Sequence, residues 1–143
     1  MTETSAQTRS IIVERQFPHP PERIWRALTT PHLIAEWLMK NDFEPVEGHR
    51  FAFRATPIPG WSGVTNCVVL KVEAPRLLCY SWGDGTESES GLKTVVTWTL
   101  TASGGGTLVR MEQSGFRRQD EAGYRGMSRG WPGIIERLEA ATA

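Results

Sequence analysis

Two polar side chains stand among apolar ones at strand-like spacing. Gln113 follows Val109 and Met111 at intervals of two, so its amide faces the side that they face. Tyr80, between Leu78 and Trp82 at the same interval, brings a phenol to a similar face. A buried amide and a buried hydroxyl each require a partner. They either orient a ligand or satisfy each other or a buried water, and the residue types leave these alternatives open. Acid–base and nucleophilic chemistry have fewer carriers. Glu112 and Arg110 neighbour the inward positions but have the opposite parity. Cys67 and Cys79 show neither a CxxC pattern nor a His partner by motif, and read as reduced buried thiols. His19, His32 and His49 are scattered without ligand spacing, so neither a metal nor a cofactor is expected. There is no GxSxG elbow. Gly104-Gly105-Gly106 joins two strands instead of opening a helix, which makes it a hairpin turn and not a phosphate loop.

Composition narrows the classes further. The 143 residues carry 16 Lys+Arg and 16 Asp+Glu, a net charge of zero that gives no footprint for sequence-independent nucleic-acid binding. Hydrophobic residues at 39% and charged residues at 22% argue against wholesale disorder. No stretch approaches the roughly 18 apolar residues of a membrane span. Met1 to Ser10 lacks the apolar run of a secretory signal, so a cytoplasmic location is expected. The unusual feature is the aromatic set, in which six Trp outnumber five Phe and two Tyr.

The elements that must position these side chains follow from periodicity. Residues 1–9 read as a polar tail and 10–143 as one domain. Ser10 to Phe17 is a strand, and the prolines of Pro18-His19-Pro20-Pro21 suit the start of a helix over Glu22 to Thr29. Thr30-Pro31 restarts a second short helix over residues 32–38. Period-two alternation then marks strands at Arg50 to Arg54, Val64 to Glu73, Leu77 to Trp82, Thr94 to Thr101 and Thr107 to Gln113. Arg50 and Arg54 lie opposite Phe51 and Phe53, outward, with a rim role in holding a carboxylate as the lesser reading. Gly83 to Gly91 reads as a polar, mobile loop. Tyr124, Met127, Trp131, Ile134, Ile135 and Leu138 form one helical stripe, with a kink or late start expected at Gly130 and Pro132. Antiparallel strands with segregated helices define an α+β domain.

Four segments carry a resemblance: Phe17 to Pro31 continuing to Glu36-Trp37, Val72 to Leu77 leading to Tyr80-Ser81-Trp82, Gly106-Thr107 through Gln113 to Phe116, and Gly130 to Ile134. Together they resemble the START-like SRPBCC proteins, and more narrowly the branch named for the activator of the heat-shock-protein-90 ATPase. The resemblance implies a helix-grip fold, a curved antiparallel sheet wrapped around a long C-terminal helix with a cavity between them. Its members include hydrophobic-ligand carriers, cyclases and chaperone regulators, and the fold does not select among them. The chaperone activator also carries a separate chaperone-binding domain, for which this chain has no room.

The expectation is therefore a binder of a small hydrophobic or aromatic molecule, without assigned chemistry. The alternatives are a cyclase- or hydrolase-like enzyme using the same cavity, and a chaperone-regulating interaction module. A homodimer is left open. The expected walls are Phe51, Phe53, Tyr80, Trp82, Val96, Trp98, Met111 and Gln113 on the sheet, facing Tyr124, Met127 and Trp131 on the helix, with Trp61 at the mouth. Set against this is the simpler reading that these side chains fill the core.

Overall fold

The computed structural model describes residues 8–59, 61–83 and 91–143. The first strand, β1 (Arg9–Phe17), leads through Pro18–Pro20 into α1 (Pro21–Thr29) and α2 (Pro31–Trp37). A two-residue strand β2 (Lys40–Asn41) follows, then β3 (Arg50–Arg54), β4 (Val64–Glu73), β5 (Leu77–Gly83), β6 (Lys93–Ser103) and β7 (Gly106–Phe116). A single 3-10 turn, Arg118–Asp120, opens α3 (Glu121–Thr142). The polar tail up to residue 7, and the interior of the loop expected over Gly83 to Gly91, lie outside the described residues.

Pro31, at the junction of α1 and α2, leaves a gap in backbone hydrogen bonding, and a tryptophan fills it. The carbonyl of Ala27 would normally accept from residue 31, but Pro31 has no N–H. The indole of Trp37 donates to that carbonyl instead, at 2.9 Å. Ile24, Ala27 and Leu28 of α1, and Ile34 and Trp37 of α2, are the buried faces.

The strands form one antiparallel sheet in the order β1-β7-β6-β5-β4-β3-β2. Its register aligns Ile11, Gln113, Val96, Tyr80 and Val69 across five strands. The neighbouring row carries Val13, Met111, Trp98, Leu78 and Val72. These rows face α3, which packs its Trp131, Ile135 and Leu138 into the core on the sheet's concave side. The outer face alternates to half-buried residues such as Thr97, Thr99 and Glu112, as a sheet covered on one side requires. Gly104 and Gly105 make the β6–β7 turn with φ of 56° and 83°, values a two-residue hairpin demands and side chains resist.

One expectation needs correction. The last helix does not begin late at Gly130 and Pro132; it takes in both and runs from Glu121 to Thr142. Glycine costs about 1 kcal/mol in a helix interior, but burial of the Trp131–Ile135–Leu138 stripe outweighs that. Pro132 and Gly130 are on the exposed side of the helix.

Candidate functional site

The concave face carries polar groups at Thr65, Tyr80, Thr94 and Gln113, all buried. Three of them are joined to the tryptophans. The indole N–H of Trp131 donates to Gln113 Oε1 at 2.8 Å, Gln113 Nε2 donates to Thr94 Oγ1 at 2.9 Å, and Thr94 Oγ1 donates to the carbonyl of Trp82 at 2.8 Å. This relay ties α3 through β7 and β6 to β5. Tyr80 belongs to a separate pair in which its hydroxyl accepts from Trp98 Nε1 at 3.0 Å. The two polar residues singled out by parity are thus bonded to tryptophans and to Thr94, and not to each other. Burial pushes the Tyr80 phenol well above its ordinary range, although the Trp98 hydrogen bond opposes the shift. Burial, assisted by the nearby Asp42 carboxylate, likewise holds the Cys67 thiol protonated.

Aromatic rings fill the centre of the molecule. Trp98 packs edge-on to Trp37 at 5.6 Å and to Trp131 at 5.9 Å between ring centres. Trp82 lies 5.8 Å from Trp131 and 5.3 Å from Phe53, and Phe51 joins Phe53 and Tyr80. Seven of the expected wall residues, Phe53, Tyr80, Val96, Trp98, Met111, Gln113 and Trp131, are no more than 3% exposed and border none of the open space described below. Tyr124 lies elsewhere, edge-on to Phe116 and beneath the Arg9 guanidinium, 3.9 Å from its ring centre.

The space lies at one end, above this packed layer. A cleft of about 660 Å³ opens between the first turns of α3 and the loop joining β3 to β4. Trp82 and Thr65 reach it from the sheet, Met39 from the segment after α2, and Leu92 from the position just before β6. Trp61 and Ile58 face it from the loop, where their main chains exchange hydrogen bonds of 2.9 and 3.1 Å. Gly63 closes that loop at φ +94°, and a β-carbon there would sit 2.5 Å from the Ala55 carbonyl oxygen. Opposite, α3 presents Ala122, Gly123, Gly126 and Met127. A β-carbon at Gly123 or Gly126 would meet no atom within 4 Å, so these glycines leave the cleft wide. Of the expected residues, the cleft therefore gathers Trp61, Trp82 and Met127.

The polar rim is already occupied. Asp120 receives the Arg117 main-chain N–H at 2.7 Å and its guanidinium at 2.9 and 3.1 Å, and Arg117 also holds the Gly91 carbonyl. A second hollow of about 460 Å³ lies at the same end of the sheet, bordered by Phe51 and Trp82 together with Arg50, Asn66, Ser81 and Lys93. There the β4–β5 ladder is supplemented by a side chain: Ser81 Oγ accepts the Val68 N–H at 2.8 Å. Among the described residues, no cluster of His, Cys, Asp or Glu is placed to hold a metal ion, and no helix is long and apolar enough to cross a membrane.

Several cleft residues escaped the reading of the sequence. Thr65 has the parity of Cys67 and Val69 on β4, so the alternation of Val64–Glu73 contained the signal. Gly123 and Gly126 weaken the first turns of a helix by propensity, but the same lack of a side chain clears volume beside the cleft. Met39 and Leu92 flank elements and carry no periodicity that would place them.

The chain matches the family model described as activator of Hsp90 ATPase homolog 1-like protein over residues 18–143. Among solved structures it is similar to protein MLL2253 of Mesorhizobium loti, at 51% identity and a TM-score of 0.85, with 93% of this chain and 96% of that one covered. It is also similar to protein BH1534 of Bacillus halodurans, at 27% identity and a TM-score of 0.76, covering 94% and 97%. The Aha1 dimer of Colwellia psychrerythraea shares the fold at 21% identity, a TM-score of 0.80 and 94% and 96% coverage. No curated protein matches the sequence.

Proposed function

The chain belongs to the family of activator of Hsp90 ATPase homolog 1-like proteins, and from that premise we propose that it binds a small apolar or aromatic molecule in the cleft beside α3. The observation that carries this reading is the makeup of the cleft. Its volume of about 660 Å³ suits a small molecule, Trp61, Trp82, Met39, Met127 and Leu92 supply its apolar surface, and Gly123 and Gly126 keep it open. Methionines beside aromatic rings adapt to flat guests of differing outline. The centre of the molecule is closed by Trp98 and Trp131, so the guest occupies the end of the grip and not its middle.

The experiment is a titration of the isotope-labelled protein with a panel of uncharged aromatic and aliphatic compounds, followed by amide chemical shifts. Saturable shifts concentrated at Gly123, Gly126, Thr65 and the Trp61 loop are expected, together with an affinity loss of roughly tenfold in Trp61→Ala, about the worth of one large apolar contact. Shifts that never saturate, or that centre on the outer face of the sheet, would end the proposal.

A further inference from the structure

Thr65 sets the cleft apart from a merely greasy groove. The residue is 3% exposed and borders the cleft. Its side chain faces the interior with Cys67 and Val69, opposite Phe53 in the β3–β4 register. Among the described residues no hydrogen bond reaches its hydroxyl, although the neighbouring buried hydroxyl of Thr94 both accepts and donates. Every fully enclosed side-chain nitrogen or oxygen among the described residues has a partner, so the Thr65 hydroxyl must remain open to the cleft. A nearly buried hydroxyl with unused donor and acceptor capacity, in an apolar wall, is costly unless something polar meets it. The other polar groups at the rim are engaged: Asp120 is held by Arg117, and Gln119 has partners of its own. Among the described residues no Lys or Arg borders the cleft, so an anionic guest would find no counter-ion there, and the one carboxylate that borders it, Asp120, is already paired with Arg117.

We infer that Thr65 is the specificity-determining residue of the cleft, which takes an uncharged planar aromatic molecule bearing one hydroxyl or carbonyl oxygen placed to bond with its side chain. This rests on the reading of the cleft as a ligand site. The ring would lie between Trp61 and Trp82 on one side and the Gly123–Gly126 face of α3 on the other. Its oxygen would point to β4. A group of the same size without hydrogen-bonding capacity would leave the hydroxyl unpaired and bind more weakly for that reason.

The test compares naphthalene with 2-naphthol by calorimetry, on the native protein and on Thr65→Val and Thr65→Ser. Valine matches threonine in shape and lacks the oxygen, and serine keeps the oxygen. In Thr65→Val the affinity for 2-naphthol relative to naphthalene is expected to fall about 3- to 10-fold, the worth of one hydrogen bond. In Thr65→Ser the ratio is expected to stay within about twofold of the native protein. Should Thr65→Val fail to fold, the native protein alone decides: 2-naphthol must exceed 2-methylnaphthalene in affinity after each is corrected for its transfer from water to hydrocarbon. If both naphthalenes bind at the cleft and the ratio is the same in all three proteins, Thr65 does not select the guest, while the ligand site itself stands. If neither binds the native protein, the cleft reading and this inference fall together.

Discussion

The indole N–H of Trp131 meets Gln113 Oε1 at 2.8 Å across the contact between α3 and β7, with both side chains excluded from water. An indole can only donate, so this contact fixes which end of the Gln113 amide faces the helix and leaves its NH₂ to reach Thr94. The relay gives the curved sheet and the long helix one defined relative position, which apolar packing alone specifies less sharply.

Gln113→Leu removes the acceptor of Trp131 and the donor to Thr94 together. Trp131 Nε1 is left buried without an acceptor, at about 1–3 kcal/mol, while Thr94 Oγ1 loses one bond and keeps its own to the Trp82 carbonyl. The expected loss is about 2–4 kcal/mol in urea unfolding, with weakened near-ultraviolet circular dichroism from the tryptophans. A loss below about 0.5 kcal/mol would show that the relay contributes little to stability.

Tyr80 contributes to the alkaline limit, as does the buried Cys67 thiol, which is also raised by burial. Its phenol is raised above the ordinary value of 10.0 by burial, so the folded protein holds the proton more tightly than the unfolded chain does. Stability from this group is intact below pH 10 and drains away as pH climbs beyond it. The ultraviolet signal of Tyr80 ionisation is expected to coincide with loss of tertiary structure. Tyr80→Phe should flatten the alkaline decline while costing about 1 kcal/mol near neutrality, because Trp98 Nε1 loses its acceptor. Ionisation of Tyr80 in a protein that stays folded would contradict this account.

The two cysteines should separate cleanly under a thiol reagent. Cys67 is 2% exposed, and burial disfavours its thiolate, whereas Cys79 is half-buried on the outer face beside Thr97. Mass spectrometry of the native protein after brief treatment with a disulfide reagent should find modification at Cys79, with Cys67 reacting only on unfolding. Equal labelling of both would mean that the β4 face opens readily.

Two glycines of α3 offer a matched pair. A β-carbon at Gly126 or Gly130 meets nothing within 4 Å, but only Gly126 borders the cleft. Both Gly126→Ala and Gly130→Ala should stabilise the protein by about 0.5–1 kcal/mol through helix propensity. Only Gly126→Ala should weaken guest binding. Equal effects on binding would place the guest elsewhere.

Much of this arrangement was legible in the sequence because it rests on period. The alternation of Val96, Trp98 and Leu100 against Thr97, Thr99 and Thr101 specified the face of β6, and Gln113 inherited its inward direction from Val109 and Met111. Lys40–Asn41 is too short to show alternation, and Arg118–Asp120 is one turn held by the Arg117–Asp120 pair, so neither announces itself. The partners of Gln113 and Tyr80 were not legible, since they depend on residues 18 positions away brought near by the sheet and helix. Nor was the location of the space. Six tryptophans suggest a roomy interior or a filled one equally, and only their mutual packing shows that Trp98 and Trp131 close the middle while Trp61 and Trp82 border the end.

The Trp131 relay also bears on how fast a guest comes and goes. Because it clamps the midpoint of α3 to three strands, the helix cannot swing away from the sheet as a door would without breaking buried hydrogen bonds. The cleft lies on the N-terminal side of that clamp and is open as it stands. For the proposed guest, then, swinging of α3 is not the route in or out, and residence time would follow from the surface covered and the one oxygen shared with Thr65. A tighter binder would be built by deepening that contact.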